Sequence, residues 1–210
     1  MNRKFTLEEF TYWGTLLFAT VVAGYLLITL IESSSREESG YVQTHNIKRQ
    51  ARTVAVETSM GRIVFQLTRG QAPLSVNNFV SLAQSGFYDK TKFHRVLKGK
   101  LIQGGDPLSR EDDRDLYGTG GPGYVFEDEI APGSKLVRGM VAMANLGKPN
   151  TNGSQFFILV ADEAPLMDGR YTVIGTVTEG MDVVDRISKV AVDEREIPET
   201  PVYVEEVTAE

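Results

Sequence analysis

Arg95 sits in Phe93-His94-Arg95-Val96-Leu97, a charged side chain among apolar neighbours, and Gln103 follows in Ile102-Gln103-Gly104-Gly105-Asp106-Pro107. A guanidinium is planar, always protonated and rich in N–H donors. In an extended segment Phe93, Arg95 and Leu97 share one face, because side chains alternate along a strand. Arginine is seldom buried without a partner, so two readings stand: its head lies in water over a barrel surface, or it serves a groove as a donor. His94 alternates to the other face and has no serine or cysteine motif beside it, which points to a structural role. A second cluster runs from Val141-Ala142-Met143-Ala144-Asn145 through Gly147 and Pro149 into Asn150-Thr151-Asn152-Gly153-Ser154-Gln155-Phe156-Phe157-Ile158. These residues offer hydrogen-bond donors beside apolar surface and no evident nucleophile. The chemistry they suit is binding and electrostatic stabilisation.

The elements that must carry these residues are mostly short strands. Val54 and Val56, a turn at Ser59-Met60-Gly61, then Ile63, Phe65 and Leu67 make a β-hairpin pattern. Ser75 reads as an N-cap before Val76, Phe79, Val80 and Ala83 at helical spacing, with Gly86 as the stop. Short strands divided by Gly, Asn and Pro follow, with one late helical run containing Val183, Val184 and Ile187. Many short strands and two isolated helices predict a closed, mainly β barrel with helical caps.

Composition narrows the function. Of 210 residues, 41% are hydrophobic and 24% charged, the balance of a globular protein. A net charge of −6 argues against a nucleic-acid partner, which calls for a basic face. With no cysteine there is neither a disulfide nor thiol chemistry, and with only His45 and His94 no zinc site is expected. Gly118-Thr119-Gly120-Gly121-Pro122-Gly123 matches G-x-G-x-x-G, but it follows the charged run 111–115 and opens no helix, so a dinucleotide site is not expected. The acidic run itself reads as a solvated loop. The sequence sets no oligomeric state.

The N-terminal part differs in character. Residues 13–31 carry no charge and as a helix would span about 28 Å, close to the ~30 Å hydrocarbon core of a bilayer. Tyr12 and Trp13 stand at the near edge, where interfacial aromatics are expected. The run exceeds the ~7–15 residues of a signal-peptide core, so an uncleaved single-pass membrane anchor is preferred over a cleaved signal. Arg3 and Lys4 before it favour an extracytoplasmic C-terminal domain, periplasmic or lumenal. The expected organisation is a flank at 1–12, a transmembrane helix at 13–31, a flexible linker at 32–51 and a folded domain at 52–208.

FHR…QGGD, MAN, NTNGSQFFI and the later Asp168-Gly169-Arg170-Tyr171-Thr172-Val173-Ile174-Gly175 resemble the cyclophilin family of peptidyl-prolyl isomerases, in the family's order and roughly its spacing. The resemblance covers about residues 52–208. It implies a closed eight-stranded antiparallel barrel with a helix over each open end. It also implies catalysed rotation about X–Pro bonds in polypeptides, with no cofactor and no metal. That rotation faces a barrier of ~18–20 kcal/mol because amide resonance is lost in the twisted state. No bond need break. The catalyst must hold the proline ring in an apolar slot and present a donor to the pyramidal nitrogen.

On this resemblance Arg95 is the main catalytic residue and Gln103 supports its guanidinium and contacts the substrate carbonyl. Asn145 offers backbone hydrogen bonds to the substrate chain, with Ala144 beside it, while Gln155 and Phe157 border the groove and floor the proline pocket. Lys100, Leu101, Leu166, Met167 and Tyr171 complete the expected substrate-binding set. The chain also departs from the family pattern. Lys100 and Leu101 stand where a Phe-Met pair is usual, Leu166 where many members have tryptophan, Tyr171 where many have histidine, and Lys148 is an extra residue. Lys100 therefore leaves a second reading open: a module of this fold that binds proline-containing segments with little turnover.

Overall fold

The structure, a computed structural model, describes residues 51–210. The expected flank at 1–12, the anchor at 13–31 and all of the linker but Ala51 lie outside the described residues. Among the described residues no helix is long and apolar enough to cross a membrane.

Eight strands carry the fold: β1 (Thr53–Thr58), β2 (Gly61–Leu67), β3 (Arg95–Leu97), β4 (Leu101–Gly104), β5 (Met140–Met143), β6 (Phe156–Leu159), β7 (Val173–Glu179) and β8 (Val204–Ala209). Two helices accompany them, α1 (Pro73–Gln84) and α2 (Met181–Ile187). The β1–β2 hairpin forms as its sequence predicts, with Val54 opposite Phe65 and Val56 opposite Ile63. Thr58 closes its turn by donating from Oγ1 to the Gly61 carbonyl at 2.6 Å.

All pairings are antiparallel, in the order β3-β4-β6-β5-β7-β2-β1-β8. The expected closed barrel is thereby corrected to a curled, open one, whose ladder ends at β3 and β8. The two edges meet only ahead of β3, at an isolated bridge between Lys92 and Tyr203. There the Phe93 N–H donates to the Val202 carbonyl at 2.9 Å and the Val204 N–H to that of Thr91 at 2.8 Å. Past this point the edge of β3 is engaged elsewhere, because the Val96 N–H donates to the Glu196 carbonyl at 2.8 Å. The loop between α2 and β8 thus occupies the position that would have closed the barrel.

The core fills the concave side. Phe65, Phe79, Tyr88, Phe93 and Phe156 are all fully buried. Phe79 stacks on Tyr88 at 4.7 Å and meets Phe156 edge-on at 5.3 Å. Each such side chain contributes ~1.5–3 kcal/mol on burial. α1 adds Val76, Phe79, Val80 and Ala83 to this core, and α2 adds Val183, Val184 and Ile187.

The start of α1 differs from the sequence expectation. Pro73, not the residue after Ser75, opens the helix, and Ser75 is buried in the first turn. Proline suits this position because its missing N–H would have no intrahelical partner there. The cap comes from a distant side chain: Glu129 accepts from the Leu74 N–H at 2.9 Å, the Ser75 N–H at 2.7 Å and the Ser75 hydroxyl at 2.8 Å. The stop is as read, with Gly86 at φ 70° and its N–H on the Ala83 carbonyl.

The second difference lies at Phe93. Regular extension begins only at Arg95, so Phe93 does not share the face of Arg95 and Leu97; it joins the core with Val96. His94 is also buried, at 3% exposure, behind the loop through Gly118. Burial lowers its pKa from the ordinary histidine value; nearby Asp106 opposes that shift and Arg95 adds to it.

Two outcomes follow from these contacts. Glu129→Ala removes a charged acceptor from α1 and should cost about 1–2 kcal/mol in urea unfolding; an unchanged midpoint would contradict the capping role. His94 binds its proton less readily folded than unfolded, so its contribution to stability is present above the unfolded pKa of ~6.5 and is lost as the pH falls below it. Melting curves from about pH 7.5 to about pH 5 should show a smaller decline for His94→Gln than for the parent, and parallel declines would refute this assignment.

Candidate active site

Strand register builds the site. Arg95 pairs with Gln103 across β3–β4, Gln103 with Phe157 across β4–β6, and Phe157 with Ala142 across β6–β5. These residues therefore form one row across the sheet. Alternation sends their neighbours Val96, Ile102, Phe156, Ile158, Val141 and Met143 into the core. The row faces the other side, and Leu97, Leu101 and Leu159 pair in the row beside it.

This outer face carries its own apolar cluster. Leu101, Leu136, Ala142, Phe157 and Leu159 are buried there, with Ala144, Met167 and Tyr171 packed against them. The Tyr171 ring stands edge-on to Phe157, with centroids 5.1 Å apart. Leu101, Phe157, Met167 and Tyr171 thus form one apolar cluster beside Gln103.

A chain of hydrogen bonds runs along its border. Arg95 Nε donates to Glu196 Oε2 at 2.8 Å, and Arg95 Nη1 reaches Gln103 Oε1 at 3.4 Å. Gln103 Nε2 donates to Gln155 Oε1 at 2.8 Å. Gln155 Nε2 donates in turn to the carbonyls of Gly118 and Gly120, at 3.0 and 2.9 Å. Two edges of the guanidinium are thereby tied, while Nη2 has no protein partner among the described residues. Arg95 remains partly exposed.

Tight approach makes this border specific to glycine at two points. A Cβ on Gly105, which has φ 84°, would lie 2.5 Å from the Ser154 carbonyl oxygen. A Cβ on Gly120 would lie 2.1 Å from Asp106 Oδ1. The Gly-rich stretch that mimics a nucleotide motif is therefore the wall that holds Gln155.

The structure brings together Arg95, Gln103, Gln155, Phe157, Leu101, Ala144, Met167 and Tyr171. Asn145 lies beside them. Its side chain bridges the Arg170 carbonyl and the Gly147 N–H, both at 3.1 Å, and its own backbone N–H and C=O have no partner among the described residues. Lys100 and Leu166 are both exposed, next in the chain to Leu101 and Met167 of the apolar cluster. Lys100 is exposed in the turn between β3 and β4, its carbonyl accepting from the N–H groups of Val160 and Ala161. Leu166 is 88% exposed. Neither belongs to the apolar cluster.

Sequence reasoning missed two features. Glu196 lies 101 residues from Arg95, in an acidic stretch with no period to mark it. The second is a cavity of about 480 Å³ on the far side of Gln103 and Gln155, walled by Gly118–Gly123, Tyr124, Val125 and Leu146. The exposed apolar side chains Tyr124, Val125 and Leu146 were the available signal for it.

Known proteins share this sequence pattern and fold. Residues 53–209 match the family described as cyclophilin type peptidyl-prolyl cis-trans isomerase/CLD. A peptidyl-prolyl cis-trans isomerase-like 1 of Neurospora crassa is 46% identical over 158 residues, covering 73% of this chain and 91% of that protein. A protein of the same name from Homo sapiens is 42% identical over 153 residues, covering 71% and 87%. A crystal structure of a cyclophilin type peptidyl-prolyl cis-trans isomerase from Cryptosporidium parvum superposes with a TM-score of 0.69 at 34% identity, covering 77% of this chain and 98% of that one. A second crystal structure of that protein, in the presence of the dipeptide Ala-Pro, gives a TM-score of 0.68. With the match spanning the whole described sheet and the row of Arg95, Gln103 and Phe157, the chain belongs to the cyclophilin-type peptidyl-prolyl cis-trans isomerase family.

Proposed function

We propose that this isomerase turns over X–Pro bonds of polypeptide substrates on the outer face of β3–β4–β6–β5, with Arg95 as the transition-state donor. The observation that carries the reading is a guanidinium tied by Glu196 and Gln103 at the edge of an apolar floor. The proline ring rests on Leu101, Phe157, Met167 and Tyr171. The substrate chain pairs with the backbone N–H and C=O of Asn145, and Gln103 stands near the carbonyl that swings. As the amide twists, its nitrogen loses conjugation and becomes an acceptor, which a fixed Arg95 N–H stabilises without reorganising. The donor does less for the planar amide, whose nitrogen lone pair is delocalised, and this difference lowers the barrier. The Cryptosporidium parvum relative crystallised in the presence of Ala-Pro supports a proline-containing peptide as ligand.

We further propose that the domain works at a membrane, on polypeptides folding outside the cytoplasm. The support is the uncharged stretch 13–31 preceded by Arg3 and Lys4. Proteinase added to intact spheroplasts should degrade the domain. Full protection, or a soluble form beginning near residue 36, would reject that topology.

The arginine is tested by kinetics. Arg95→Ala should lower kcat/KM by at least ~10²-fold, the scale of losing one preorganised donor, with little change in Tm. Arg95→Lys should restore little, since an ammonium cannot address Glu196, Gln103 and substrate through one planar fork. A well-folded Arg95→Ala protein with parental activity in an isomerisation assay would overturn the mechanism.

A further inference from the structure

We infer that Glu196 is a positioning residue for catalysis: its carboxylate sets the plane of the Arg95 guanidinium, so that the remaining N–H groups face the groove. This rests on Arg95 being the donor. Three observations carry it.

The first is the contact. Nε is the guanidinium donor nearest the side-chain stem, and fixing it fixes rotation about the last torsion before the plane. Glu196 accepts from it at 2.8 Å, a shorter bond than the 3.4 Å contact from Nη1 to Gln103. Gln103 alone would hold the plane loosely.

The second is the backbone. Glu196 has φ 65°, a left-handed conformation that glycine or asparagine adopts with less strain. Strain of this kind persists where its surroundings over-determine it, and it gathers at functional sites. Here the conformation carries the carboxylate onto Arg95.

The third is the scaffold. Asp193 accepts from the Arg195 N–H at 2.9 Å and the Ile197 N–H at 3.0 Å, bracketing Glu196. Ile197, followed by other contacts, holds the Asp193 carboxyl below its usual pKa, so it stays an acceptor. Arg114 reaches Asp193 at 3.0 Å and Arg195 reaches Asp115 at 2.6 Å, pinning the turn to the acidic loop. The Glu196 carbonyl accepts the Val96 N–H at 2.8 Å, which docks the turn on β3 next to Arg95. Alanine at 196 leaves all of these backbone and Asp193 contacts in place, so the turn should survive the substitution.

The test is a double-mutant cycle in the full-length chain, read as kcat and KM on an X–Pro peptide, with melting curves alongside. Glu196→Ala should lower kcat roughly fivefold, within the ~10²-fold that a misplacement of about 1 Å can cost. KM should stay within about twofold, because the apolar floor is untouched. Glu196→Gln should recover most of the loss, since its amide oxygen still accepts from Nε. Adding Glu196→Ala to Arg95→Ala should cost nothing more. The inference fails if Arg95→Ala is impaired while Glu196→Ala matches the parent. It fails equally if Glu196→Ala costs the same factor with or without Arg95, or if Glu196→Gln is as impaired as alanine. Parental activity in Arg95→Ala would sink the Arg95 mechanism, and this assignment with it.

Discussion

Everything in this site depends on one constraint, the register of β3, β4, β6 and β5. Side chains alternate with a period of two, so a slip of one residue in β3 would turn Arg95 inward and Val96 outward. The apolar side of the same strands forbids it. Val96, Ile102, Phe156 and Ile158 are fully buried, and Phe156 sits against Phe79, Tyr88 and Phe93. Packing on the concave face thereby decides where the guanidinium stands on the other. The geometry of this row comes from the core.

Hydrogen bonds then refine what packing has placed. The path from Glu196 through Arg95, Gln103 and Gln155 ends on the carbonyls of Gly118 and Gly120. Arg95 and Glu196 are each about two-fifths exposed, at 43% and 41%. An ion pair so exposed contributes only ~0–1 kcal/mol to stability. Its significance is orientation. Rotation about an amide breaks no bond, so the enzyme needs neither nucleophile nor general base. It needs a dipole held still and an apolar floor that keeps the proline while the rest of the chain turns.

Much of this was legible in the sequence. Arg95, Gln103, Gln155 and Phe157 belong to short runs whose residue types already suit the site. The hairpin at Val54–Leu67 and the stop at Gly86 follow from local rules, because alternation and a left-handed glycine are properties of a few neighbouring residues. What escaped depends on distance along the chain. Glu129 caps α1 from more than fifty residues away, and a local reading gave that role to Ser75. Phe93 reads as part of the strand by alternation, yet its main chain pairs with Val202 and the strand starts after it. The barrel stays open, against expectation, for a related reason. The edge of β3 is engaged by the turn at Asp193–Ile197, and nothing near β3 announces that partner. Lys100 and Leu166 are where family expectation and this chain part, and both side chains are exposed.

Stabilisation by a preorganised donor requires a guanidinium that is fixed before substrate arrives. The most direct measurement is the nuclear-spin relaxation of the Arg95 Nε–Hε group in the substrate-free full-length chain. The expected order parameter is near that of rigid backbone, about 0.85, falling toward the flexible range below ~0.6 in Glu196→Ala. A parent value already below ~0.6 would contradict it, because the donor would then be ordered only by the substrate itself.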